Sequence, residues 1–134
     1  MFGIVQMNRE KFAETFFHKR FRNAQSGFPI ATVAYYGPDD QTATKVAVGV
    51  LDNKDQIIEL KRWFVRAQDV RIDRAINDEI LAFIQGHSVQ RVAIAGKIIG
   101  CPHEEGIDYP EGSTCPQCPY WAKIDRWSSQ VLKS

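Results

Sequence analysis

The stretch PIATVAYYGPDDQTATKVAVGVLDNKDQIIELKRWFV, residues 29–65, contains three short runs rich in β-branched and aromatic side chains. Such side chains favour β-strands because they pack well on a pleated surface. The pattern predicts three strands, over residues 29–37, 44–52 and 57–65. Turn-forming sequences separate the runs, with Pro38, Asp39 and Asp40 in the first gap and LDNKDQ in the second. Short turns between consecutive strands predict a three-stranded antiparallel meander.

A helix is predicted before this meander, because Phe12, Phe16 and Phe17 recur at helical spacing behind Asn8, a candidate N-cap. The other side of the same segment is basic, with Lys11, Lys19, Arg20 and Arg22. Such a face is typical of an ordinary solvated helix, and a phosphate-binding face is the alternative.

A second helix is predicted after the meander, over residues 69–86, where isoleucines recur at helical spacing between Asp69, a candidate cap, and Gly86. The apolar middle of residues 88–100 predicts a fourth strand. The order of these elements favours an α+β fold, and residues 1–134 are expected to form one domain. Beyond them, residues 100–121 are expected to form a metal-binding loop, followed by a short helix that places Trp121 and Trp127 on the body.

The loop GCPHEEGIDYPEGSTCPQCPYW, residues 100–121, holds all three cysteines of the chain. Cys101 and His103 are two residues apart, so in an extended segment their side chains point the same way. Pro102 favours that extended geometry in Cys101. Cys115 and Cys118 enclose a turn that Pro116 pre-sets, which brings the two sulfurs together. Three thiolates and one imidazole match tetrahedral zinc, so these four residues are the predicted ligands.

The Cys-Pro-Gln-Cys turn resembles the knuckles of zinc-ribbon and rubredoxin-like proteins, which hold a metal between two such arms. The chain departs from them at Pro119, where the knuckles usually have a glycine, and in the one-residue spacer of its first arm. The longer pattern CPHEEGIDYP…CPQCPYW resembles an uncharacterised family of small bacterial proteins. That resemblance implies a bacterial source and no mechanism. A redox pair and metal-free buried cysteines are the alternatives for the same residues.

Four protein ligands leave no open coordination position, so the predicted site is structural. The acidic residues Glu104 and Glu105 follow His103 directly, and a carboxylate beside a metal-bound water is typical of a general base. A zinc hydrolase with Glu104 or Glu105 as base is therefore an alternative. His103, Glu105, Cys115 and Cys118 also follow the residue order of the zinc deaminases. Only nine residues separate Glu105 from Cys115, which leaves no room for the strand that those enzymes place there.

The predicted order of elements is similar to the core of the restriction-endonuclease-like nucleases. That resemblance implies a Mg²⁺-dependent nuclease in which Asp39 or Asp40 and Glu59 hold the metal and Lys61 orients the attacking water. The same residues also fit an ordinary turn and an exposed strand. The nuclease requires Asp39, Asp40 or Asp52 to approach Glu59 closely.

Charge and hydropathy limit the partners and the location that can be expected for the protein. The formal net charge is +1, so no strong overall field favours nucleic acid or acidic partners. No apolar run approaches the roughly 20 residues that span a bilayer, and no secretory signal is evident, so a cytoplasmic protein without a membrane partner is expected. The sequence thus favours a small zinc-binding interaction module, for a protein or a nucleic acid, over an enzyme.

Overall fold

The computed structural model of the protein describes residues 8–21, 27–53, 56–122, 124–125 and 130–131, with the backbone alone at 20–21, 124–125 and 130–131. The helices are α1 (Arg9–Phe21), α2 (Arg74–Gln85) and the four-residue α3 (Pro119–Ala122). The strands are β1 (Ile30–Tyr36), β2 (Lys45–Asn53), β3 (Gln56–Phe64), β4 (Arg91–Ile98), β5 (Ile124–Asp125) and β6 (Gln130–Val131). This order of helices and strands confirms the predicted α+β fold.

The main sheet has the strand order β3-β2-β1-β4, and a separate two-stranded sheet pairs β5 with β6. β1, β2 and β3 form the predicted antiparallel meander, in which Val48 lies opposite both Val33 and Lys61. β4 pairs in parallel with β1, so the sheet is mixed. Since β3 and β4 run in the same direction, α2 carries the chain across the sheet, as a parallel connection requires.

The core lies between one face of the sheet and the helices. Alternate residues of β1 and β2 point to this face, and Val33, Tyr35, Val46 and Val48 are at most 4% exposed. Phe17 of α1 and Ile80 and Ile84 of α2 pack in the same cluster. The opposite face of the sheet is more open, with Thr32, Leu60 and Ala93 exposed.

α1 packs closely on β4 where Gly96 faces the helix. A Cβ atom at Gly96 would collide with the backbone of Glu10, so only glycine permits this approach. The Gly96 N–H donates a hydrogen bond of 2.9 Å to a carboxylate oxygen of Glu14. These contacts place α1 across β4.

A buried ion pair joins the loops at one end of the sheet. The Asp69 carboxylate accepts hydrogen bonds from the Arg71 guanidinium at 2.7 and 2.9 Å and from the Ala43 N–H at 3.0 Å. Arg71 also donates to the carbonyl of Gly96 at 2.9 Å. Burial acts to raise the pKa of Asp69, but these hydrogen bonds and the Arg71 charge outweigh it and lower that pKa below its ordinary value.

The second helix begins later than the sequence pattern predicts. Asp69 caps a short 3₁₀ turn, Val70–Ile72, and α2 begins only at Arg74. The Asp73 carboxylate accepts a hydrogen bond of 2.9 Å from the Ile76 N–H, so Asp73 is the cap of α2. Asp69 and Asp73, four residues apart, each cap the start of a helical segment. The sequence pattern alone does not show which of the two begins α2. None of the described helices is long and apolar enough to cross a membrane.

Candidate metal centre

The first arm of the candidate metal centre follows directly from β4. The carbonyl of Gly100 accepts a hydrogen bond of 2.9 Å from the Gly37 N–H, which ties the arm to the end of β1. Cys101 comes next in the chain, and its sulfur accepts a hydrogen bond of 3.2 Å from the His103 N–H. The Cys101 sulfur and the His103 Nδ1 atom lie 3.2 Å apart, so the two side chains converge as their spacing predicts.

The second arm is a tight turn that leads into α3. The Cys118 N–H donates to the Cys115 carbonyl at 3.3 Å, and the Trp121 N–H donates to the Cys118 carbonyl at 3.2 Å. Pro119 is the first residue of α3. The first N–H of a helix has no partner within the helix, so proline is well suited to this position. The departure from the glycine of zinc-ribbon knuckles thus has a local reason.

The two arms meet around one point. The candidate ligand atoms of Cys101, His103, Cys115 and Cys118 all lie within 4.8 Å of one another. The His103 Nδ1 atom is 3.2, 3.4 and 3.5 Å from the sulfurs of Cys101, Cys115 and Cys118. Bond lengths of about 2.0 Å to nitrogen and 2.3 Å to sulfur in a tetrahedron separate those atoms by about 3.5 Å. The cluster therefore has the size of a tetrahedral metal site.

One imidazole nitrogen cannot hydrogen-bond three sulfurs at once, since Nδ1 carries at most one proton. A cation bound by all four atoms would account for the convergence. Cys115 and Cys118 are only 6% and 2% exposed, which shields the cluster from water. Burial, and then the neighbouring thiols, raise the pKa of Cys118, and burial raises that of Cys101. A bound dication would supply the positive charge that lets such buried thiols ionise.

The span between the arms folds back on itself. The Gly106 N–H donates to the Tyr109 carbonyl at 2.7 Å, and the Asp108 carboxylate accepts from the Glu104 N–H at 2.7 Å. Gly106 has a φ of 83°, in the left-handed region that favours glycine. Tyr109 is buried against Cys115 and Cys118, and it covers the cluster on this side.

A group of three charges, formed by Lys45, Arg62 and Glu104, fastens the first arm to the sheet. The Lys45 ammonium lies 3.0 Å from the Glu104 carboxylate and donates at 3.0 Å to the Pro102 carbonyl. The Arg62 guanidinium lies 2.7 Å from the same carboxylate. The side chain of Lys45 is only 4% exposed, so Glu104 neutralises a buried charge. Glu104 is therefore engaged in holding the arm.

The sequence pattern did not identify Lys45 as part of the site. The signal is present, since Lys45 begins the strand KVAVGVLDN, whose other early residues are apolar. A buried lysine in such a strand needs an anionic or carbonyl partner. Only the three-dimensional pairing identifies Glu104, which lies 59 residues further along the chain, as that partner.

Glu105, the other candidate base, accepts a hydrogen bond of 2.6 Å from the Gly112 N–H. The ligand cluster among the described residues comprises the three cysteines and His103, and it includes neither Glu104 nor Glu105. Both glutamates thus stabilise the loop around the cluster. These contacts favour a structural role for the carboxylates over the general-base role of the hydrolase alternative.

The structure does not bring Asp39 or Asp40 to Glu59, whereas Asp52 lies in β2 between Leu51 and Asn53, which pair with Ile57 and Gln56. Glu59 lies opposite Val50, which pairs with Ala31 near the beginning of β1. Asp39 and Asp40 follow the other end of β1. They therefore lie at least about 15 Å from Glu59 along the strand direction. The Asp39 carboxylate accepts hydrogen bonds from the Gln41 and Thr42 N–H groups, as a turn residue does. Lys61 packs its ammonium 5.2 Å from the Trp63 ring.

The predicted packing of Trp121 and Trp127 on the body is present in part. The Trp121 indole N–H donates a hydrogen bond of 2.7 Å to the Gly37 carbonyl, which fixes α3 to the end of β1. Tyr120 is exposed, and Trp127 lies outside the described residues. Gly37 thus hydrogen-bonds both to the first arm and to α3, the helix that follows the second arm.

On the basic helix, Lys11 and Lys19 are exposed, whereas the side chains of Arg20 and Arg22 lie outside the described part.

No family model matches the chain, and comparisons with curated proteins and with solved structures found no significant match. The resemblances to zinc-ribbon knuckles and to a family of small bacterial proteins stay predictions. The chemistry of the cluster is inferred from its own residues.

Proposed function

We propose that the protein is a small zinc-binding module whose Cys₃His site fixes a loop that another macromolecule recognises. The convergence of Cys101, His103, Cys115 and Cys118 within 4.8 Å carries this proposal. Three thiolates and an imidazole are soft and borderline ligands, which favour zinc over magnesium or calcium. The distances from Nδ1 to the sulfurs match tetrahedral geometry, which zinc adopts in structural sites.

A structural role is favoured over catalysis by the ligand number and by the surroundings. Four protein ligands fill a tetrahedral site, whereas catalytic zinc sites keep one position for water or substrate. Three thiolates also leave the zinc complex with a charge near −1, which weakens its action on a bound water. Glu104, the nearest candidate base in the sequence, is held by Lys45 and Arg62.

The surface that this loop completes suits a macromolecular partner. Leu60 and Phe64 on the open face of the sheet are 43% and 63% exposed, and Arg62 lies between them on the same strand and face. Arg62 in turn holds Glu104 of the metal loop. Zinc would therefore fix the loop at the border of an apolar surface, and contiguous exposed apolar surface is typical of interaction sites.

Elemental analysis of purified protein, followed by thermal unfolding with and without a chelator, tests this proposal. We expect about one zinc per chain, and a lower melting temperature once zinc is removed, because metal binding contributes directly to folding free energy. Hydrogen exchange should accelerate first in residues 100–121. Cys118→Ser should reproduce both effects, and Thr114→Ala, at an exposed neighbouring position, should change neither. Unchanged melting and exchange after zinc removal would overturn the structural role.

A further inference from the structure

β3 is an edge strand with an open outer side. It has a hydrogen-bonded neighbour on one side only among the described residues, namely β2. Every residue of β3 except Trp63 is exposed, and Ile57, Ile58 and Phe64 are between 45% and 63% exposed. An edge strand presents unpaired N–H and C=O groups, which form a template for another strand. A nine-residue edge with this many exposed apolar side chains needs an explanation.

The pairing with β2 assigns the side chains of β3 to two faces. Glu59 lies opposite Val50 and Lys61 opposite Val48, and both valines belong to the core face. Leu60 lies opposite Gly49, so it points to the open face. The Glu59 carboxylate lies 3.8 Å from the His87 imidazole, and its side chain remains 53% exposed. Glu59 and Lys61 thus share the core-side face of the edge, and Leu60, between them in the chain, points to the open face.

We infer that β3 pairs with β3 of a second copy of the chain, antiparallel and centred on Leu60. A two-fold axis that joins two antiparallel edges into one sheet stands normal to the sheet, so both copies keep their helices on the same side. With the axis at Leu60, Glu59 of each copy lies opposite Lys61 of the other. The pairing therefore forms two cross-strand pairs of opposite charge, each of which stabilises a sheet.

The charges select this register over its neighbours. Moving the axis by one residue toward the start of the strand places Glu59 opposite Glu59. Moving it by one residue the other way places Lys61 opposite Lys61. Like charges directly opposite each other destabilise a strand pair. The sequence Glu59-Leu60-Lys61 is thus self-complementary in one register and repulsive in both adjacent ones.

The open face gains from the same arrangement. The regular pairing of β3 with β2 covers Glu59 to Phe64, and within it Leu60 points to the open face. The two Leu60 side chains meet at the axis. Leu60 is 43% exposed in the single chain, so pairing removes apolar surface from water. The product is a continuous eight-stranded sheet, with four strands from each copy.

Sedimentation velocity over a range of concentrations tests the charge pairing. We expect a concentration-dependent species of twice the monomer mass. Glu59→Lys and Lys61→Glu alone should each weaken association at least about tenfold, because two attractive pairs become repulsive. The double exchange, Glu59→Lys with Lys61→Glu, should restore it. Arg91→Glu, a matched reversal on the other edge strand, should have no effect. Circular dichroism of each variant checks that it is folded.

A monomer at every concentration would overturn the inference, as would a dimer that the single reversals leave intact or the double exchange fails to restore. Cysteine cross-linking tests the register independently. Leu60→Cys should give a disulfide-linked dimer under mild oxidation, since facing Cβ atoms lie about 5 Å apart. Ile58→Cys should not, because the two copies of that residue stand about 13 Å apart along the strands. Equal cross-linking of both variants would contradict the Leu60 register.

Discussion

The helix-covered sheet and the metal loop are held together by different forces. In the sheet region, sixteen buried apolar residues of the described part of the chain form one continuous cluster. In the loop, the buried cluster comprises only Tyr109, Cys115 and Cys118. The sheet therefore draws its stability mainly from apolar burial, which is distributed over many contacts. The loop has too little apolar surface for that and depends on its ligands and a few polar ties.

Because different forces stabilise them, the two regions should unfold separately. When a core side chain is truncated, its neighbours relax only partly into the cavity. The stability of the whole cooperative unit therefore falls. Loss of one ligand or one tie releases a segment with few other contacts, and such local opening can occur without unfolding the sheet.

Phe17→Ala should have the largest effect on stability. Phe17 is fully buried, and truncation of such a phenylalanine costs about 3–5 kcal/mol. Chemical denaturation should show a lower midpoint for the whole protein, with metal content unchanged while the protein is folded. Ile107→Ala, at a position in the loop that is 77% exposed, should shift stability by less than about 0.5 kcal/mol. A comparable loss in both variants would remove the contrast between the regions.

Asp69→Asn should cost about 3 kcal/mol, because it leaves the charge of Arg71 buried without its partner. The pKa of Asp69 is lowered in the folded state, so its stabilising effect is complete above the unfolded pKa of about 3.9. That effect is lost as the pH falls through the lower, folded pKa. Denaturation at a series of pH values should show a steeper acid loss below about pH 4 for the wild type than for Asp69→Asn. Parallel curves would contradict this role.

Glu104→Gln should weaken the attachment of the loop by about 1–2 kcal/mol, because the neutral amide no longer compensates the buried Lys45. The partial exposure of Glu104 keeps the effect below that of a fully buried pair. Hydrogen exchange should increase in residues 100–121 and remain slow in β1 and β2. Glu111→Gln, in the exposed part of the loop, is the control and should leave exchange unchanged. Increased exchange throughout the sheet would indicate that the loop and the sheet do not open separately.

Trp121→Phe should have the smallest effect, about 1 kcal/mol, since it removes the hydrogen bond to the Gly37 carbonyl and keeps most of the ring. The expected readout is faster exchange in α3 with full metal content. Metal loss in this variant would show that the attachment of α3 to β1 also positions the metal ligands. Ala122→Ser, at the exposed last residue of α3, provides the control.

Much of the fold was predictable because local signals agreed with one another. Turn residues separated the three runs of the meander, and the apolar spacing around Phe17 and Ile80 indicated the helices. The parallel pairing of β4 with β1 was not predicted, since no local signal encodes which strand a later strand joins. The start of α2 was misplaced because Asp69 and Asp73 both resemble caps, and the buried partner Arg71 distinguishes them.

The candidate ligands were predictable for a related reason. Cys101 with His103, and Cys115 with Cys118, are each close in sequence, so short-range geometry already directs each pair to one point. The ties that hold the loop were not predictable, because Lys45 and Glu104 are distant in sequence. The same limit applies to the nuclease hypothesis. Glu59 and Lys61 share a face as predicted, but Asp39 lies at the other end of the sheet.

X-ray absorption spectroscopy of the purified protein at the zinc edge tests whether the centre is a closed Cys₃His site. We expect one zinc per chain with three sulfur ligands at about 2.3 Å and one nitrogen ligand at about 2.0 Å. Cys118→Ser should lower the sulfur count or abolish binding. A site with an oxygen ligand from water in place of one of the four side chains, or protein that binds no zinc when supplied with it, would contradict a closed structural centre.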